Sequence, residues 1–152
     1  IYLPTTEDQT AEQVNSLPVE DYMGSGEMIL VVDDIREQRE LASKILTRLG
    51  YRVATVESGE EAIAYLKERS ADLVILDMLL GNGIDGLDTY RGILEIQPGQ
   101  KAIISSGFSE TDRIRETMRL GAGVYLKKPY SMEKIGTAVK AELLRKPGVS
   151  ES

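Results

Sequence analysis

The chain has no cysteine, no histidine, no tryptophan and a single phenylalanine. Without cysteine, disulfides and thiolate metal sites are excluded. Without histidine, any imidazole base, nucleophile or phosphohistidine must come from another chain or domain. Long apolar runs are missing as well. None approaches the ~20 residues that a membrane-spanning helix needs, and no signal-peptide pattern opens the sequence. The expectation is a cytoplasmic domain without membrane contact. A basic surplus is also absent. Net charge is −7, and residues 1–27 carry six acids with no Lys or Arg. The other 125 residues are nearly balanced, with 19 acids against 18 bases. A nucleic-acid partner would call for a basic surface, so none is expected.

What is present suffices for one domain with a tail: 152 residues, 41% of them hydrophobic. From Met28 onward the pattern alternates. "MILVV" is short and β-branched on consecutive positions, as in a strand buried on both faces. Leu41, Ala42, Ile45, Leu46 and Leu49 then recur at helical spacing up to Gly50. "RVATV" is a second strand, and Ser58 with Glu61 forms a capping box opening a helix through Arg69. "LVIL" is a third strand ending at Asp77. Asp85 caps a helix carrying Leu87, Tyr90, Ile93 and Leu94, which stops before Pro98-Gly99. "KAIIS" is the fourth strand, and Ser109 with Asp112 starts a helix ending at Gly121. "VYLK" is the fifth strand. A last helix uses Ile135, Ala138, Val139 and Leu143 and ends at Pro147-Gly148.

Five strands alternating with five helices predict an α/β fold, a parallel sheet with helices on both faces. Right-handed crossovers then point all strands one way. Asp33 and Asp34, Asp77, Ser106 and Lys128, each just after a strand, gather at one edge, where such sheets bind ligands. Taken singly, each has an ordinary reading. Asp33-Asp34 could cap the first helix, Asp77 could open a turn, and Ser106 could be a turn serine with Ser105 as its rival. Lys128 could be a solvated lysine with Lys127 as competitor, and Tyr125 a plain core or surface aromatic. Together they make a crevice of carboxylates, a hydroxyl and an ammonium. Carboxylates at contact repel, and a divalent cation relieves them; oxygen-only ligands point to Mg²⁺. A carboxylate can also attack phosphorus, with a lysine charge on the phosphoryl oxygens.

The motifs "ILVVDD", "LVILDMLLGNGIDG", "AIISSGF" and "LGAGVYLKKPY" resemble, in order and spacing, a receiver domain of two-component signalling, the response-regulator family. The resemblance spans about residues 27–147. It implies a doubly wound, flavodoxin-like five-stranded sheet of order 2-1-3-4-5. It also implies Asp77 as phosphoacceptor and Mg²⁺ held by Asp34 directly, by Asp33 largely through water, by Asp77 and by the Leu79 carbonyl. Ser106 and Tyr125 would be the switch pair, and Lys128 the lysine acting on the phosphoryl group. Two departures stand out: the loop after Asp77 lacks the proline common in the family, and it is one residue longer before Asp85-Gly86.

The donor implied is a histidine kinase or histidine phosphotransfer domain. The reader is a downstream protein on the face of the fourth helix, fifth strand and fifth helix. Such a domain would catalyse its own phosphotransfer and dephosphorylation. A Mg²⁺-dependent phosphohydrolase of the haloacid-dehalogenase kind is the rival, but it needs a second acid where Leu79 stands. A partner-binding receiver without phosphotransfer would not need the acidic cluster and Lys128. Residues 1–6, "IYLPTT", resemble the last strand of a kinase ATP-binding domain, and residues 7–26 an acidic linker. With Ile rather than Met first, the expectation is the C-terminal receiver of a hybrid sensor histidine kinase, closed by a tail at 148–152. A stand-alone receiver is the alternative.

Overall fold

In the computed structural model, residues 23–80, 83–107, 112–128 and 131–145 are described. Five strands and five helices alternate along them. They are β1 Met28–Val32, α1 Arg36–Arg48, β2 Arg52–Val56, α2 Gly59–Glu68, β3 Leu73–Asp77, α3 Gly86–Ile96, β4 Ala102–Ser106, α4 Asp112–Arg119, β5 Val124–Lys127 and α5 Met132–Leu144. All neighbours pair in parallel, in the order β2-β1-β3-β4-β5.

Side-chain parity explains why the central strands are apolar throughout. Successive residues of a strand face opposite sides of the sheet. Ile29, Val31, Leu73, Ile75 and Ile103 pack with Leu46, Leu49, Ile135 and Val139 of the α1 and α5 layer. Leu30, Val32, Val74, Leu76 and Ile104 pack with Leu66, Leu87, Tyr90, Ile93 and Ile114 on the other side, where α2, α3 and α4 lie. With both faces covered, β1, β3 and β4 have no position left for a polar side chain until their ends. The edge strands β2 and β5 are only partly buried.

The helix termini follow their capping chemistry. Ser58, Asp85 and Ser131 each accept a backbone N–H from the third residue onward. Gly50 ends α1 with φ +96°, a conformation open to glycine. Some expectations need correction. Glu61 Oε1 accepts from the Glu57 N–H at 2.8 Å, not from Ser58, so the capping box is not reciprocal. Leu41 is 43% exposed, because the buried stripe of α1 runs through Ala42 and Leu46 instead. The fourth strand is Ala102–Ser106, shifted by one, so Asp77 and Ser106 end strands rather than follow them. Ser109 and Pro147-Gly148, expected helix boundaries, lie outside the described residues, as do residues 1–22.

The last residues of the expected linker pack on the domain. The Gly24 N–H donates to the Leu49 carbonyl at 2.7 Å, and the Gly26 N–H to the Gly50 carbonyl at 2.8 Å. Lys140 of α5 holds the Met23 carbonyl at 3.0 Å, and Arg52 the Gly26 carbonyl at 2.8 Å. Gly24 lies against the Tyr51 ring, where a Cβ would sit 2.2 Å from a ring carbon.

A half-buried ion pair closes the same pole of the sheet. Glu142 is 1% exposed and receives both Nε and an Nη of Arg145, at 3.0 and 2.6 Å. A Cβ on Gly123 would lie 1.7 Å from Glu142 Oε1. Held by two bonds, that carboxylate has little room to yield. Gly123→Ala should therefore lower unfolding stability by about 1–3 kcal/mol in urea titration. An unchanged midpoint would mean that Glu142 moves aside freely.

Candidate functional site

A parallel sheet of this order has its switch point between β1 and β3. The chain leaves β1 toward β2 on one side and returns to β3 on the other, opening a crevice at the strands' carboxyl ends. Asp33 and Asp34 follow β1, and Asp77 ends β3. Each of the three carboxylates offers an oxygen within 4.8 Å of the others. Asp33 and Asp77 are buried and Asp34 half-buried.

Two of the acids are held by the backbone N–H two residues on. The Ile35 N–H donates to Asp33 Oδ1 at 3.0 Å, and the Leu79 N–H to Asp77 Oδ1 at 3.1 Å. Neither acid caps α1, whose N-cap is Ile35 without a side-chain bond. Lys128 crosses from the end of β5 and places Nζ 2.5 Å from Asp33 Oδ2 and 3.5 Å from Asp77 Oδ2. Its backbone N–H is fixed on the Ser106 carbonyl at 2.8 Å. Lys127 is exposed, so Lys128 is the lysine that meets the carboxylates.

Ser105 and Ser106 are both buried. Ser106 lines a cleft of about 230 Å³ together with Met78, Leu79, Leu80, Asp85, Arg113 and Ile114. Leu79 turns its side chain outward, 53% exposed, at the mouth of this cleft. Tyr125 is half-buried and packs on the core layer of α2, α3 and α4. The crevice thus gathers Asp33, Asp34, Asp77 and Lys128 in one place, with Ser106 and Leu79 on the adjoining cleft. Tyr125 lies further along β5.

Two neighbours of the site were not legible in the sequence. Arg39 donates to the Asp33 carbonyl at 2.8 Å, and Arg113 to Asp85 Oδ2 at 2.6 Å. Both sit in charged helical stretches that read as solvated faces, and only the fold brings them to the site.

The donor set suits a hard divalent cation: oxygen ligands only, three carboxylates together, and no thiolate or imidazole. Electrostatics agree. Burial pushes the Asp77 carboxyl up to about 6, and Asp33 adds to the rise. Lys128 and the Leu79 N–H pull it the other way without cancelling it.

Comparison with known proteins places this arrangement in a family. The response regulator receiver domain model matches residues 29–140. The chain belongs to that family. It is 32% identical over 117 residues to the sporulation initiation phosphotransferase F of Bacillus subtilis, covering 77% of this chain and 94% of that protein. It is 30% identical over 115 residues to the chemotaxis protein CheY of Thermotoga maritima, covering 75% and 95%. A solved CheY-like receiver from Methanospirillum hungatei shares the fold, with a TM-score of 0.74 over 78% of this chain and 94% of that one at 24% identity. The acidic triad of Asp33, Asp34 and Asp77 is of the type that binds Mg²⁺ in receiver domains.

The raised Asp77 carboxyl has a consequence for stability. An acid whose folded pKa exceeds its unfolded value costs the fold nothing below about pH 4 and its full penalty above about 6. In metal-free buffer, Asp77→Asn should therefore be more stable than wild type at pH 7.5, by about 1–3 kcal/mol. The gain should shrink as pH falls from 6 to 4. Thermal melts across that range check it, and a variant no more stable at pH 7.5 would contradict the assigned cause.

Proposed function

We propose that this receiver domain takes a phosphoryl group from a phosphohistidine onto Asp77 and relays it as a conformational change. The observation that carries the reading is the Lys128 ammonium at 2.5 and 3.5 Å from Asp33 and Asp77, inside a crevice of three carboxylates. Such a crevice already holds a nucleophile, a cation and a place for a second cation.

In this reading an Asp77 oxygen attacks phosphorus, the P–N bond breaks, and its electron pair stays on the departing imidazole. With no histidine in the chain, the donor is a histidine kinase or a histidine phosphotransfer domain. Asp34, Asp33, Asp77 and the Leu79 carbonyl would hold Mg²⁺. Bound there, the ion supplies positive charge against the phosphoryl oxygens. Lys128 is positioned to follow Asp77 as its charge moves onto the phosphoryl group, leaving Asp33 for the ion. Ser106 donates its hydroxyl to a phosphoryl oxygen, and the segment it heads carries that shift toward α4. Tyr125, on β5, follows on the same side. The output face is α4, β5 and α5, read by a downstream protein as a change in conformer population.

The resemblance of Ile1–Thr6 to the last strand of a kinase ATP-binding domain supports a hybrid sensor kinase as the parent. The upstream coding sequence tests that reading.

Incubation with Mg²⁺ and acetyl phosphate should add one phosphoryl group, visible as a single mass increment. Asp77→Asn should abolish it, because an amide is no nucleophile toward phosphorus. Excess chelator should abolish it in wild type. Uptake by the variant at the wild-type rate would remove Asp77 from the role, and uptake in chelator would remove the metal.

Leu79 stands at the cleft mouth, two residues past the acceptor. An aliphatic side chain cannot hold a hydrolytic water by hydrogen bonding, so the phosphoryl group should persist. Leu79→Asn should shorten its lifetime several-fold, followed by the decay of the mass increment. Equal or slower decay would refute this role for the side chain.

A further inference from the structure

Two connections leave the acidic crevice. One runs from Asp77 through Leu79 to Asp85, the N-cap of α3; the other runs from Ser106 to α4. Their far ends are tied together. Arg113 in the first turn of α4 donates through Nε to Asp85 Oδ2 at 2.6 Å, and its Nη2 lies 3.7 Å from Asp88 Oδ2. Asp85 keeps its other oxygen for capping, accepting the Asp88 N–H at 3.0 Å. The ion pair stands at one side of the 230 Å³ cleft that Leu79 and Ser106 also line.

α4 is the shortest of the described helices; Ile114 and Thr117 are buried, and Met118 packs half-buried on the same core layer. Thr117 spends its hydroxyl on the Arg113 carbonyl at 2.8 Å and a 3.8 Å contact with Met78 Sδ. Its remaining charges, Asp112 with Arg115 and Glu116 with Arg119, pair within the helix among the described residues. The Arg113 link to Asp85 and Asp88 is therefore the charged contact that joins α4 to α3 among the described residues.

We propose that the Asp85–Arg113 ion pair is a latch that holds α4 against the start of α3, and that Arg113 is thereby a positioning residue for phosphorylation of Asp77. The proposal rests on the phosphoacceptor reading. When Ser106 moves toward a phosphoryl group on Asp77, the segment it heads must move with it, and α4 is fastened to the opposite connection. The latch opposes that movement and favours the resting arrangement. Releasing it lowers the cost of the phosphorylated conformer.

The substitutions Arg113→Gln and Asp85→Asn each remove the charge pair, and asparagine still caps α3. With acetyl phosphate and Mg²⁺, each should be phosphorylated roughly two- to fivefold faster than wild type, the range expected for one partly exposed pair. The double variant should be no faster than either single one, because all three lack the same contact. Arg113→Lys, which keeps a cation, should return close to the wild-type rate. Amide exchange before any phosphorylation should quicken in α4 of the two single variants and stay unchanged in α5. Rates equal to wild type, or single effects that multiply in the double variant, would overturn the latch while leaving the phosphoacceptor reading intact. Wild type that gains no phosphoryl group overturns that reading, and the regulatory role of the latch with it.

Discussion

The carboxyl edge of this domain depends on keeping three like charges together. At the separation seen here, two carboxylates repel by roughly 3 kcal/mol at an effective dielectric of about 20. Nothing flexible would tolerate that. Asp77 ends β3, Asp33 and Asp34 follow directly on β1, and the two strands are paired from Ile29–Leu73 to Val32–Leu76. The sheet, buried on both faces, holds the acids close, and Lys128 partly balances two of them from the end of β5. The crevice is poised because its compensation is incomplete. A buried Asp77 that resists ionisation is an acid waiting for a counter-charge.

How much of this the sequence disclosed follows from how local each signal is. β1, β3 and β4 were legible because burial on both faces leaves apolar runs, and in β1 and β3 the first polar residue then marks the strand's end. That is why Asp33 and Asp77 stood out, whereas β4 turns polar already at Ser105 and Ser106 was singled out by the resemblance of "AIISSGF" to the family's switch segment. Their convergence needed only the parallel topology. Contacts made by long side chains were not legible. Arg39, Arg113 and the Glu142–Arg145 pair each lie in helical stretches of mixed charge, where pattern cannot tell a solvated face from a fastening. Leu41 misled in the opposite direction, since an apolar residue one place off the buried stripe of α1 keeps helical spacing with some of its neighbours. Glu61 sits at the capping-box position but bonds one residue further back, a distinction of backbone geometry rather than residue type.

The helices differ in how they meet the sheet. α1 and α5 bury aliphatic stripes against one face of the sheet and meet β1, β3 and β4 through Leu46, Leu49, Ile135 and Val139. α4 contributes Ile114, Thr117 and a half-buried Met118, and its outer turns carry charges that pair with one another. Both faces of the sheet are packed, and the acids sit at the carboxyl ends of the central strands β1 and β3, with Ser106 at the end of β4.

The strap formed by Met23–Gly26 has a consequence for tethering. It is fastened to the turn between α1 and β2 and to Lys140, at the pole where the strands begin. Asp77 lies at the other pole, one five-residue strand away, about 16 Å. Any phosphodonor carried on the preceding chain would start its search from the far side of the molecule. It would have to travel around the domain before meeting the acceptor. The strap thus sets the origin of that search, and the length and stiffness of the chain before Met23 would govern the effective concentration of donor at Asp77. A short tether would deny a donor its own receiver and leave that receiver to a neighbouring copy.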